Sequence, residues 1–119
     1  MGQTLTILTK RADFLKAARA KRQTTPAFTL QYRERAPGEA TDIRVGFTCS
    51  KKVGNAVARN RAKRRLREIA RLTLPEHGQG GFDYVLIGRR EVTATRDFAT
   101  MRGELESALQ KAHATANTG

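Results

Sequence analysis

With 119 residues, 39% of them hydrophobic and no tryptophan, the chain has room for one domain on a modest aliphatic core. Its 23 lysines and arginines against 11 acids leave a formal charge of +12, a self-repulsion that a polyanion relieves. No apolar run reaches membrane-spanning length, residues 1–10 lack a signal-peptide pattern, and Cys49 alone forms no internal disulfide. The composition therefore argues against a membrane or disulfide-stapled protein and for a cytoplasmic partner of nucleic acid.

In chain order, a short entry over residues 4–8 precedes a helix predicted over residues 10–21. Phe14 and Ala18, flanked by Leu15 and Ala17, give it a side to bury, while Lys10, Arg11, Lys16 and Arg19 stay wet. Thr24-Thr25-Pro26 breaks it. Residues 27–35 then alternate, with Phe28, Leu30 and Tyr32 on one face and Thr29, Gln31 and Arg33 on the other, as in a half-buried strand. Beyond the turn cluster Ala36-Pro37-Gly38-Glu39, Ile43, Val45, Phe47 and Cys49 alternate with Arg44, Gly46, Thr48 and Ser50. Two alternating strands about a Pro-Gly turn predict an antiparallel hairpin.

A long helix fits residues 55–72, ended by Pro75, and a glycine-rich loop fits residues 74–81. Residues 82–88 (Phe-Asp-Tyr-Val-Leu-Ile-Gly) read as a strand apolar enough to be central. The last helix, residues 96–113, has Thr95 as N-cap, Asp97 in its first turn and an apolar stripe of Phe98, Met101, Leu105, Ala108, Leu109 and Ala112. Residues 114–119 should form a loose tail. The result is an α+β fold, a two-layer α-β-β-(β)-α-β-α sandwich of helices on a mixed sheet, as one domain over residues 1–119.

The chemistry concentrates in residues 51–71. On a helical wheel Ala58, Ala62, Leu66, Ile69 and Leu72 share one stripe, the side to be buried. Arg59, Asn60, Lys63, Arg64, Arg67 and Arg71 gather on an adjacent face, and Arg61 and Arg65 lie on a third side with Glu68. A charged helix face is often merely solvated. Here the charge is nearly uncompensated and arginine-rich, and the planar arginine fork matches phosphate oxygens. The face is therefore read as a nucleic-acid surface, and a helix packed on a sheet suits RNA better than sequence-specific reading of DNA. His77 and His113 are isolated, Cys49 alternates with core residues, and the glycines at 78–81 lack the lysine of a phosphate loop. The eleven acids show no close pair suited to holding two metal ions, which argues against a protein-borne nuclease.

The run Lys51-Lys52-Val53-Gly54-Asn55-Ala56-Val57-Ala58-Arg59-Asn60-Arg61-Ala62-Lys63-Arg64-Arg65-Leu66-Arg67 closely resembles the signature of the protein subunit of bacterial ribonuclease P. The preceding strand, residues 43–50, and the early Asp13-Phe14 look like that family too. The resemblance covers roughly residues 10–90. It implies a left-handed β-α-β crossover and an auxiliary subunit of a ribozyme that removes the 5′ leader of precursor tRNA. The hydrolysis and its Mg²⁺ ions would belong to the RNA, with no catalytic residue, metal site or cofactor in the chain. Arg59, Asn60, Arg61, Lys63, Arg64, Arg67 and Arg71 would bind the catalytic RNA. Phe14, Thr29, Gln31, Arg33, Arg44, Thr48, Ser50 and Lys52 would line a groove for the single-stranded leader. Ala18 and Gln31 stand where the family often has aromatics, which leaves Phe14 as the main stacking platform. A ribosomal protein bound to rRNA is the alternative that the charge and fold also allow.

Overall fold

The computed structural model describes residues 5–117. The elements are β1 (Leu5–Ile7), α1 (Arg11–Arg19), β2 (Lys21–Thr24), β3 (Phe28–Glu34), β4 (Ile43–Thr48), a 3₁₀ turn (Lys51–Val53), α2 (Ala56–His77), β5 (Phe82–Gly88), α3 (Val92–Thr95) and α4 (Phe98–Asn117). The strands form one mixed sheet in the order β1-β4-β5-β3-β2. Among the described residues no helix is long and apolar enough to cross a membrane.

The hairpin expected between β3 and β4 does not form, because β5 lies between them, antiparallel to β3 and parallel to β4. The reason lies in β5 itself. Phe82, Tyr84 and Leu86 point to one side of the sheet and Val85 and Ile87 to the other, and all but Ile87 are buried. A strand apolar on both sides gains most at the centre, whereas β3 and β4 each have a polar side. The β4-α2-β5 unit is thus a parallel crossover, with α2 and α4 packed on the same face of the sheet.

The main core fills that face. Phe28, Leu30, Ile43, Val45, Tyr84 and Leu86 meet Leu66, Ile69 and Leu74 of α2 and Met101, Leu105 and Leu109 of α4. α1 crosses the opposite face over a smaller cluster of Leu8, Ala17 and Val85, with Phe14 and Ile87 against it. Gly46 permits this close approach: a Cβ there would fall 2.4 Å from the Phe14 ring. That contact turns α1 so that Ala17, one turn on from Phe14, is buried, and Ala18, the residue expected inside, is exposed.

Other boundaries move for local reasons. α1 stops at Arg19, and Lys21–Thr24 pairs with β3 as an edge strand. Its Lys-Arg-Gln-Thr sequence has no apolar alternation, since an edge strand needs a neighbour's open hydrogen bonds more than a buried face. α2 runs past Pro75 to His77. So close to the helix end, the proline forfeits a single bond, to the carbonyl of exposed Arg71. The inward stripe of α2 is Ala62, Leu66, Ile69, Ala70, Thr73 and Leu74, with Ala58 and Leu72 only half-buried. Thr95 belongs to α3, and Asp97 caps α4 by accepting from the Thr100 amide (3.0 Å) and hydroxyl (2.9 Å). The entry segment forms strand β1, parallel to β4, where no strand is predicted. α4 continues through Asn117, where a loose tail is expected; residues 118–119 and Thr4, the first residue of the expected entry, lie outside the described residues.

His113 closes the core from α4. Its ring packs edge-on against Phe82 and Tyr84, and its Nε2 lies 2.7 Å from the Tyr84 hydroxyl, which accepts from the Gln79 amide at 2.8 Å. The Tyr84 proton is thereby directed to Nε2 of a neutral imidazole. Burial pushes His113 below its ordinary pKa, against a smaller opposing effect of Glu34. The unfolded chain therefore takes up the proton first, and this stability is complete above about pH 6.5 and lost as pH falls below it. We expect a lower urea midpoint at pH 5.5 than at pH 7.5. His113→Phe should shrink that difference, and an unchanged difference would mean that His113 is already charged in the folded protein.

Candidate nucleic-acid interface

The basic helix is set by its first turn. Gly54 has φ of +144°, a conformation that favours glycine, and redirects the chain out of the 3₁₀ turn. Asn55 then caps α2, its side chain accepting from the Ala58 amide at 2.9 Å. The helix presents Asn60, Arg61, Arg64, Arg67 and Arg71 to solvent, with Arg59 and Lys63 half-buried beside them. Val57, 76% exposed, joins Asn60, Arg61 and Arg64 around a shallow depression.

The cations on this helix differ in their freedom. Arg71 is paired with Glu68. Arg67 lies 5.9 Å from the centroid of the Phe47 ring. Among the described residues Arg59, Arg61, Lys63, Arg64 and Arg67 have no carboxylate partner. Arg65 turns inward. Its Nε donates to the Thr93 carbonyl (3.0 Å), its Nη2 to the Arg96 carbonyl and the Met101 sulfur, and its guanidinium carbon sits 5.9 Å from the Phe98 ring centroid.

The second face of the sheet divides into two halves. At the end where β4 leads into the 3₁₀ turn, a cavity of about 350 Å³ opens between α1 and the sheet, lined by Thr9, Arg11, Phe14 and Thr48. Thr29 and Thr48 are half-buried there, and Ser50 and Lys52 are exposed just beyond. The other half is closed by charge. The carboxylate of Asp83, fully buried, accepts from Arg35 Nη1 (2.6 Å), Arg44 Nε (2.7 Å) and Nη2 (2.8 Å), and Arg33 Nη1 (3.3 Å). Arg44 also reaches Asp13 of α1 at 3.6 Å. Burial would push the Asp83 carboxyl up, but the bonds from Arg44 and Arg35 outweigh it and hold it below the ordinary carboxylate range.

The eight residues expected along the leader groove are thus not equivalent. Phe14 and Thr48 line the open half, Thr29 shares a sheet row with Thr48 through Ile87, and Ser50 and Lys52 are exposed in the segment that follows β4. Gln31 is only 7% exposed, and Arg33 and Arg44 are engaged with Asp83. One cation at the open half is missing from the sequence expectation. Arg89 follows β5, and its Nη2 reaches the Thr29 hydroxyl at 3.4 Å, while its Nε has no hydrogen-bond partner among the described residues. Extending the alternation Asp83, Val85, Ile87 by one step would have placed Arg89 on this face. Among the described residues no group of three histidines, cysteines or acids stands ready to hold a metal ion.

Comparisons with known proteins identify the family. The family model described as Ribonuclease P covers residues 3–113. A ribonuclease P protein component from Ruegeria pomeroyi is 63% identical over 110 residues, spanning 92% of this chain and 88% of the relative. Among solved structures, a mutant of the Staphylococcus aureus RNase P protein superposes with a TM-score of 0.73 at 27% identity, covering 90% of this chain and 87% of that one. The RNase P protein from Thermotoga maritima gives 0.69 at 32% identity, covering 87% and 94%. Sequence match along nearly the whole chain and a shared fold lead to one conclusion: the chain belongs to the ribonuclease P protein family.

Proposed function

We propose that the chain serves ribonuclease P through two separate surfaces, the outer face of α2 for the catalytic RNA and the open cleft beside α1 for the single-stranded 5′ leader of precursor tRNA. The observation that carries this reading is the position of Phe14. Its ring rests on Gly46 at the wall of a cleft whose neighbouring cations, Arg11, Lys52 and Arg89, have no carboxylate partner among the described residues. An aromatic wall with unpaired cations suits a strand of stacked bases and phosphates. On α2, Arg59, Asn60, Arg61, Lys63 and Arg64 form a rigid row that screens phosphates where the catalytic RNA folds closely, with Arg67 at its edge and Arg71 shared with Glu68. Mg²⁺ serves the RNA-based hydrolysis. The chain's buried carboxylate, Asp83, is saturated by arginines and is no ligand for it. The protein acts by binding: mature tRNA lacks the leader, so contacts in the cleft favour substrate over product.

Phe14→Ala tests the assignment. In the reconstituted holoenzyme it should erode the preference for precursor over mature tRNA by about 1–3 kcal/mol, the worth of one stacked base. Assembly with the catalytic RNA should be nearly unchanged. Arg64→Ala and Arg67→Ala should instead weaken catalytic-RNA binding roughly tenfold each, equally for all substrates. A folded Phe14→Ala protein with full leader preference would move the leader off this cleft. A large loss of melting temperature with preference intact would make Phe14 a packing residue only.

A further inference from the structure

We propose that Thr93 and Arg65 are positioning residues for leader recognition, holding Arg89 over the open end of the cleft. This rests on the reading of the cleft as the leader site. The β3–β5 ladder ends at Phe28 opposite Gly88, so Arg89 lies beyond the last strand pair. Its amide is secured by a side chain instead. The Thr93 hydroxyl, fully buried, accepts from the Arg89 amide at 2.7 Å and donates to the Ala27 carbonyl at 2.6 Å. The backbone carbonyl of Thr93 accepts from Arg65 Nε at 3.0 Å. One residue therefore joins the exit of β5, the start of β3, α3 and the signature helix.

The chain between Arg89 and Thr93 needs such a brace. It reverses at Glu91, whose φ of +62° is the single positive value outside glycine among the described residues. A side-chain-bearing residue holds that conformation when its surroundings impose it. With Thr93 and Arg65 in place the reversal is fixed, and the Arg89 guanidinium is carried to Thr29 on the cleft side of the sheet. Arg65 consequently differs from its neighbours on α2. It is a half-buried cation of the basic helix whose charge is turned to two backbone carbonyls.

The experiment compares Thr93→Val, Thr93→Ser, Arg65→Met, Arg89→Ala and the Thr93→Val/Arg89→Ala double variant with the unaltered protein in the reconstituted holoenzyme. It measures affinity for precursor tRNA, mature tRNA and the catalytic RNA, and hydrogen exchange at the Arg89 amide. Thr93→Val should reduce the precursor-over-mature preference about three- to tenfold, the worth of one lost hydrogen bond. It should speed exchange at Arg89 and leave catalytic-RNA affinity within about twofold of the original. Thr93→Ser should restore preference and protection, and the double variant should be no worse than Arg89→Ala. Arg65→Met should act like Thr93→Val and leave the salt dependence of catalytic-RNA binding unaltered.

Full preference in Thr93→Val with Arg89 deprotected would overturn the proposal, as would losses that multiply in the double variant. If Thr93→Val does not fold, Arg65→Met decides by the same criteria. Preference lost in Phe14→Ala but kept in Arg89→Ala would sink the brace and leave the leader cleft standing. Preference kept in both would sink the cleft, and the brace with it.

Discussion

Asp83→Asn should lower the unfolding free energy by about 3–5 kcal/mol, the usual cost of removing one partner from a buried ion pair. The carboxylate is fully buried and is met by Arg33, Arg35 and Arg44 at 2.6–3.3 Å. Arg35 is itself only 6% exposed, so its guanidinium would be left with Asp42 and carbonyl oxygens as its partners. Such a loss is a large share of the stability of a domain this size. Urea unfolding at pH 7 measures it, with Asp42→Asn as the control. Asp42 is partly exposed and has one arginine, and its loss should be nearer 1 kcal/mol. Acid should reveal the same group. The folded carboxyl lies below its unfolded value of about 3.9, so its stabilisation is complete above that pH. It disappears as pH falls through the folded pKa. Asp83→Asn should lack this part of the acid transition. A loss below 1 kcal/mol at pH 7 would show that the three arginines find other partners.

Affinity for the catalytic RNA should fall about 10²- to 10⁴-fold between 50 and 200 mM salt. With on the order of 5–8 phosphates neutralised, log K should fall against log salt with a slope of roughly −4 to −7. The motive is the row of Arg59, Arg61, Lys63, Arg64 and Arg67, without carboxylate partners among the described residues, on a chain of net charge +12. Arg64→Ala should make the slope shallower by about one. Arg71→Ala should change it less, because Glu68 already neutralises that guanidinium. A slope near −1 for the unaltered protein would mean that the outer face of α2 is not the binding surface.

The basic helix was legible in the sequence because everything that defines it is local. Asn55 and Gly54 mark its start, Ala62, Leu66 and Ile69 recur at helical spacing, and the exposed arginines follow from the same period. The central place of β5 was legible too, since Phe82–Gly88 is apolar on both faces. The family signature, residues 51–67, needed nothing beyond the order of residues.

Other features exist only once distant segments meet. β3 and β4 each carry a clear alternation, but alternation reports which face is buried and is silent on which strand lies alongside. A strand from 34 residues beyond β4 was free to enter between them, and it did. The polar alternation of Thr29, Gln31 and Arg33 read as an open surface, yet Gln31 is buried and Arg33 is drawn to Asp83. Arg65, placed by the helical period with Arg61 on a side beside Glu68, turns inward because α3 and the segment before α4 supply backbone carbonyls to it. Arg33 and Arg44 looked free until β5 brought Asp83 between them. The short-range pattern thus determined the helix that carries the charge. Which charges remain free for RNA was decided by tertiary packing, because a carboxylate or carbonyl from elsewhere in the chain claims an arginine only when the fold brings it within about 3 Å.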